Sequence, residues 1–239
     1  LGIIKKNSTI IISKQKKIVD LHIRKKIKKN KNNKLFYNDH FRVTKKDIDK
    51  FTLKYENKEY KFKNPKLIGD HQIENASTAV AAILKIKNLG YNFTNKNINI
   101  GINQTRWPGR LEKIKYKNIE VYLDGSHNID GAKKLLEYFK NMNIKIWIVI
   151  GMLNNKDIDN FLKILKPITQ GIIAISIPGE KNSYTCKEIL EKANKLKIHC
   201  FAKNSINQSN KFLLEVIKPK SILITGSLYL VGKIRNKYL

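Results

Sequence analysis

Cysteine is scarce in this sequence: Cys186 and Cys200 are its two thiols among 239 residues. Two cysteines build no disulfide framework, and their separation fits no metal-ligand spacing. Cys186 falls on the apolar face of an expected helix and Cys200 in an expected strand, so both read as core thiols in a reducing cytoplasm. Long apolar runs are missing too. The best candidate, IWIVIGML at 146–153, falls far short of the ~20 residues a membrane helix needs; it reads as a buried strand, and no membrane partner is expected. The opening LGIIKKNSTIIIS lacks the basic end, apolar stretch and cleavage site of a signal peptide. Its first residue is Leu1 rather than Met, and it reads as a chain already under way, with an N-terminal part expected before it. No internal repeat is visible.

Acidic residues are few. Against 19 of them stand 48 lysines and arginines, a formal net charge of +29. Such an excess points to polyanions, nucleic acid among them. However, the sequence is saturated with Lys, Asn and Ile, whose codons are AT-rich, and its lysines run along the whole chain, densest in HIRKKIKKNKNNK at 22–34. The composition therefore accounts for the charge, and a nucleic-acid partner is not the expectation. Arginine is scarce: Arg24, Arg42, Arg106, Arg110 and Arg235 are all there are. In a lysine-rich chain an arginine marks a place where the planar fork matters, as on a phosphate. Two of the five lie four residues apart in TRWPGRLE.

What is present from residue 119 onward alternates cleanly. IEVYLD (119–124), KIWIVIG (145–151), GIIAISI (171–177), KIHCFA (197–202) and SILITG (221–226) read as strands. Between them lie helical faces at three- and four-residue steps: Ala132, Leu135, Leu136, Phe139 and Met142; Ile158, Phe161, Leu162 and Leu165, ended by Pro167; Ile189, Leu190, Ala193 and Leu196; Ile206, Phe212, Leu213 and Val216. SLYLVGKIRNKYL closes as a helix. Alternating strands and helices predict a parallel sheet with helical crossovers. The first hundred residues differ, with strand-like runs TIIIS, KLFYND and YKFKN, then one long helix near ENASTAVAAILKIKNLG with Gly90 as C-cap. The Pro-Gly of TRWPGRLE breaks the pattern, which sets the expected domains at 1–105 and 106–239.

Ligands of open α/β sheets sit beyond the carboxyl ends of the strands. Asp124 to Asn128, Gly151 to Leu153, Pro178-Gly179 and Gly226-Ser227 all fall there. LDGSHNIDG is not a calcium loop, since Ile129 stands where the sharp turn needs Gly and Leu135 where a bidentate Glu belongs; nor is it a zinc site, with no second His or Cys nearby. Its plain structural reading is a turn with Asn128 or Asp130 capping the next helix. For WPGRLE that reading is a linker with Arg110 and Glu112 solvated; the functional one puts Arg110 on a phosphate. Asn75 falls in the first turns of a helix packed through small residues, where an exposed amide could read a base edge. Gly226 and Ser227 form a strand-to-helix turn that could offer N–H groups to an anion.

Each signal is weak alone. Their order is specific: GxHQxxNAxxAxxA (69–82), WPGRLE (107–112), LDGSHN (123–128), GMLxxKD (151–157) and TGSLYLVG (225–232) together resemble the dihydrofolate synthase/folylpolyglutamate synthase family of the Mur ligase superfamily, over essentially the whole chain. The resemblance implies a Rossmann-like C-terminal α/β domain preceded by the tail end of a central ATP-binding α/β domain. It implies an ATP-dependent amide ligase that adds L-glutamate to dihydropteroate or to folates through an acyl phosphate. It implies ATP contacts at Asn75, Arg110 and Asp124, a role for His127 in positioning ATP or the acyl phosphate, and ATP with Mg²⁺ as cofactors. Ser227 is a possible substrate or anion contact. Partners are the small-molecule substrates, and a monomer is expected. The sequence departs from the family pattern in carrying Ser126 for the usual Ala and Asn155 for the usual Asp, and in having no Gly-rich P-loop. The Mg²⁺ ligands are then expected before Leu1, and the chain as given is expected to be inactive. A cell-wall UDP-MurNAc-peptide ligase is the rival within the superfamily; its usual D-Y-A-H-N-P differs from LDGSHN. A basic nucleic-acid-binding module is the rival of another class.

Overall fold

A computed structural model describes residues 2–87 and 90–239. The chain divides into two compact units, Leu1–Arg106 and Trp107–Leu239. The first opens with strand β1 (Thr9–Ile12), helix α1 (Lys17–Ile27) and strand β2 (Asn33–Phe36). β1 and β2 pair in parallel, from Thr9 opposite Asn33 to Ile12 opposite Phe36, so α1 is their crossover. Alternation along the strands feeds two cores. Ile10, Ile12 and Phe36 pack with Ile23 and Ile27 of α1, whereas Ile11 and Leu35 face the larger core of this unit.

That larger core lies over an antiparallel meander of β3 (Phe41–Lys46), β4 (Lys50–Tyr55) and β5 (Lys58–Lys63). Two helices, α2 (His71–Lys87) and α3 (Asn95–Gln104), add Ile73, Val80, Ala81, Leu84, Ile98 and Ile102 to Phe41, Phe51, Leu53 and Phe62. Ser77 and Ala81 of α2 are fully buried; their small side chains allow the close packing expected from ENASTAVAA. The expected helix end falls partly on residues 88 and 89, outside the described residues, while Gly90 has φ 96°. Strands β3 and β4 and helices α1 and α3 fall in stretches where the sequence pattern predicts none.

The second unit runs β6 (Glu112–Tyr116), β7 (Ile119–Leu123), α4 (Ile129–Asn141), β8 (Ile146–Ile150), α5 (Ile158–Leu165), β9 (Thr169–Ala174), α6 (Cys186–Lys195), β10 (Cys200–Ala202), α7 (Ile206–Phe212), β11 (Ser221–Thr225) and α8 (Leu228–Ile234). Its six strands lie in the order β10-β9-β8-β11-β7-β6. All neighbours pair in parallel except β6, which is antiparallel to β7. The α/β expectation therefore holds. The unexpected edge strand β6, EKIKY, has no buried residue, which is why its apolar content is too low to announce it. Helices α4, α5 and α6 pack one against the next along one face, where Tyr122 meets Phe139 edge-on with centroids 5.1 Å apart. The opposite face packs Val121, Leu123, Val149 and Ile224 against Ile206 and Leu213 of the α7 segment and Leu230, Val231 and Ile234 of α8.

Two expected helix-face residues are corrected. Met142 is the C-cap of α4 and is 40% exposed. Val216 is 63% exposed because α7 passes into a short π-helical stretch over Leu213–Ile217, which rotates the face away from the sheet. Of the thiols, Cys186 is buried and Cys200 half-buried on the edge strand β10, and burial pushes the Cys200 thiol up to about 12.

Candidate functional site

Four turns converge at the carboxyl ends of β7, β8, β9 and β11. Gly226, at φ 103°, donates its N–H to the Ser126 carbonyl at 3.0 Å. A Cβ on Gly226 would stand 2.6 Å from the Gly151 carbonyl oxygen. The turns after β7, β8 and β11 are thus in backbone contact. Lys233 of α8 bridges to the turn after β9, donating to the Pro178 carbonyl and to Glu180 Oε1. The address read from the sequence is the one the fold builds.

Asp124 is the centre of this edge. It is 6% exposed. Its Oδ2 accepts the Leu111 N–H and its Oδ1 the Ser126 N–H, each at 2.8 Å. Burial pushes its carboxyl pKa up; the bonds from Ser126 and Leu111 and the positive charge of Arg110 oppose that rise. Both oxygens are therefore committed to backbone, and the carboxylate ties the WPGR turn to the SHN turn. A second tie is the Gly125 N–H, which donates to the Gly109 carbonyl at 2.8 Å.

The WPGR turn is shaped by two residues with positive φ, Gly109 at 72° and Leu111 at 47°. A leucine in the left-handed region is costly unless its surroundings hold it there. Leu111 is held by burial of its side chain at 6% exposure and by its bond to Asp124. Glu112 is half-buried and ion-paired rather than freely solvated, which corrects the linker reading. Its Oε2 accepts the Gly109 N–H at 3.1 Å, and its carboxylate receives Arg235 through Nε at 2.9 Å and Nη2 at 2.6 Å. The Arg235 guanidinium holds the Glu112 pKa below the usual carboxylate value. Arg110 sits half-buried between these anchors, with its positive charge felt at Asp124.

His127 is half-buried. Its Nδ1 lies 2.9 Å from the Gly125 carbonyl. A carbonyl can only accept, so Nδ1 carries a proton and this bond fixes the ring with Nε2 as its other polar atom. Asn128 caps α4, its Oδ1 accepting the Gly131 N–H at 2.8 Å. Ser227 is 3% exposed, and its Oγ accepts the Tyr229 N–H at 3.1 Å; it caps the seven-residue α8, so its hydroxyl has a structural task. Asn155 is exposed in the turn before α5; nothing in the structure explains its presence there.

Asn75 belongs to the other unit. It lies exposed in the second turn of α2, and its Nδ2 donates to Gln72 Oε1 at 3.0 Å. The structure thus brings Arg110, Asp124, His127 and Ser227 to one sheet edge and places Asn75 on a helix of its own unit. Sequence reasoning missed Leu111, Glu112 and Arg235. The scarcity of arginine was the available signal for Arg235: both Arg235 and Arg24 fork onto carboxylates, Arg24 onto Asp20 and Asp39. No cluster of three or more His, Cys, Asp or Glu among the described residues could hold a metal ion, and no helix among them is long and apolar enough to cross a membrane.

The family described as the dihydrofolate synthetase C-terminal domain matches residues 109–237. The dihydrofolate synthase/folylpolyglutamate synthase of Bacillus subtilis is 30% identical over 198 residues, covering 79% of this chain and 44% of its own length. A UDP-N-acetylmuramoyl-L-alanyl-D-glutamate–L-lysine ligase of Streptococcus pneumoniae is 35% identical over 136 residues, 49% of this chain and 28% of that protein. The chain therefore spans less than half the length of these curated relatives. In fold it matches Mycobacterium tuberculosis folylpolyglutamate synthase, solved with ADP and AMPPCP, with a TM-score of 0.83 at 19% identity over 96% of this chain and 55% of that one. Through the dihydrofolate synthetase C-terminal domain that residues 109–237 form, the chain belongs to the dihydrofolate synthase/folylpolyglutamate synthase family.

Proposed function

We propose that this chain supplies the C-terminal half of the catalytic cleft of an ATP-dependent ligase that joins L-glutamate to dihydropteroate or to folates. The observation that carries the reading is Arg110. It is an arginine in a lysine-rich chain, held between two positive-φ residues at the carboxyl edge of a parallel sheet, beside a buried carboxylate. In the proposed reaction ATP phosphorylates the substrate carboxylate. The amine of glutamate then attacks the acyl phosphate, giving amide, ADP and phosphate. Arg110 would place its fork on the phosphates. Asp124 would orient the Arg110 and His127 turns, a role that suits its two backbone donors better than contact with the ribose. His127 would position ATP or the acyl phosphate through Nε2. Asn75 is proposed as an ATP contact from its exposed place on α2. Ser227 enters as the cap that shapes the last turn. The domain reading remains 1–105 as part of the central ATP-binding domain and 106–239 as the C-terminal domain.

The sequence contains no Gly-rich P-loop, and no Mg²⁺ ligand is assigned to it. The 239 residues alone are accordingly proposed to be inactive, to work as a monomer with small-molecule partners, and to belong to the cytoplasm. The test is a ligase assay with ATP, Mg²⁺, L-glutamate and either dihydropteroate or tetrahydrofolate. It is run on the chain alone and on the chain joined to the portion of the Bacillus subtilis relative that it does not match. Product from the joined protein, lost in Arg110→Ala, is expected. No product from a folded joined protein would sink the reading; product from the chain alone would sink the claim of inactivity.

A further inference from the structure

We infer that Arg235 and Glu112 form a positioning clamp that sets the Arg110 turn from the far end of the chain. The pair joins the first residue of β6 to the turn following α8, 123 residues apart in sequence. It is forked, with Nε and Nη2 both engaged, and its side chains are only 27% and 21% exposed. Glu112 also accepts the Gly109 N–H, so one carboxylate closes the four-residue turn Gly109–Glu112 at both ends. Within that turn stand Leu111, whose N–H reaches Asp124, and Arg110. The turn cannot find this shape through backbone preference, since Leu111 at φ 47° resists it. It is imposed by three ties: Gly109 to Gly125, Leu111 to Asp124, and Glu112 to Arg235. The third is the one made by a side chain outside the two motif loops. Lysine at 235 would keep the charge but lose the two-pronged grip that fixes the carboxylate plane.

The purpose given to the clamp rests on the proposed role of Arg110, but its geometry does not, and the test needs no nucleotide. The carboxyl resonances of Asp124 and Glu112 are titrated by ¹³C NMR in the 239-residue chain, in Arg235→Lys and in Glu112→Gln, with the fold of each checked from its amide spectrum. Glu112→Gln removes the pair while keeping an acceptor for Gly109. Lys192→Met, which breaks the Lys192–Asp159 pair elsewhere in the same unit, is the control. Loosening the turn draws both the Leu111 N–H and the Arg110 charge away from Asp124. The expected result is an upward move of the Asp124 titration in Arg235→Lys and Glu112→Gln, and none in Lys192→Met. If Asp124 titrates as in the parent in folded Glu112→Gln, Arg235 is a structural ion pair only and the inference is overturned. An equal move in Lys192→Met overturns it as well. Failure of the ligase reading would show instead in the assay of the joined protein as absence of product, and failure of the Arg110 role as an Arg110→Ala variant that keeps full activity.

Discussion

Leu111 donates its backbone N–H to Asp124 Oδ2 at 2.8 Å from a left-handed φ of 47°. One bond therefore links a strained turn to a buried carboxylate, and through it the arginine motif to the aspartate motif. Asp124→Asn replaces one acceptor oxygen with an NH₂ facing an N–H donor, leaving a buried donor unsatisfied. We expect a loss of about 1–3 kcal/mol in stability near neutral pH, read by urea denaturation.

The same residue predicts a pH dependence. The Asp124 carboxyl pKa is raised by burial above its ordinary 3.8. A raised pKa means that the folded state binds the proton more tightly, so the stability added by that bound proton is fully present below 3.8 and is lost as pH rises through the raised value, leaving the share carried by the backbone bonds. In Asp124→Asn that dependence is absent. The stability gap between parent and variant should therefore narrow as pH rises through this window, in denaturation curves taken at a series of pH values. A gap that widens there would contradict the assignment.

Gly226 leaves no room for a side chain. A Cβ would meet the Gly151 carbonyl oxygen at 2.6 Å and Ile150 Cγ1 at 2.9 Å, from a backbone φ of 103°. Backbone cannot swing aside as a flexible side chain can. Gly226→Ala should cost about 2–4 kcal/mol and lower the thermal midpoint, whereas Gly232→Ala, where nothing stands within 4 Å, should be neutral or stabilising.

Ser227 separates a cap from an anion contact. With Oγ on the Tyr229 N–H, Ser227→Ala should cost about 1 kcal/mol of stability. In the joined ligase, Ser227→Ala is expected to leave the apparent KM for ATP within about twofold.

The Cys200 thiol, pushed up to about 12 by burial, should be almost wholly protonated at pH 8. The reactive species is the thiolate, so in the native chain Cys200 should react with an aromatic disulfide reagent far more slowly than after unfolding in guanidinium. Reaction of Cys200 in the native chain at the unfolded rate would refute its half-buried placement.

Much of the second unit was legible because its elements are locally consistent. The strands IWIVI and SILIT are buried from end to end or nearly so, and the helix faces of α5 and α6 repeat at helical spacing. The first unit was less legible. β3 is mostly exposed, with four of six residues polar or charged; it is a strand because β4 pairs with it, and α1 turns only Ile27 fully inward. In the site, Asp124, His127 and Arg110 were legible as motif residues. Glu112 was visible only as the end of a motif, and Arg235 only as a rare arginine, since neither neighbours the other in sequence.

The amino-acid sequence by itself determined the alternating strands and helices from residue 119 on, the apolar faces that make the sheet parallel, and the motif order that marks the family. These depend on side-chain periodicity and local turn chemistry, which are properties of short stretches. Only the tertiary structure decided that β11 lies between β7 and β8, that Asp124 is buried with both oxygens on backbone donors, and that Arg235 grips Glu112. Those facts arise where distant segments meet: a buried polar group must find its partners wherever packing places them.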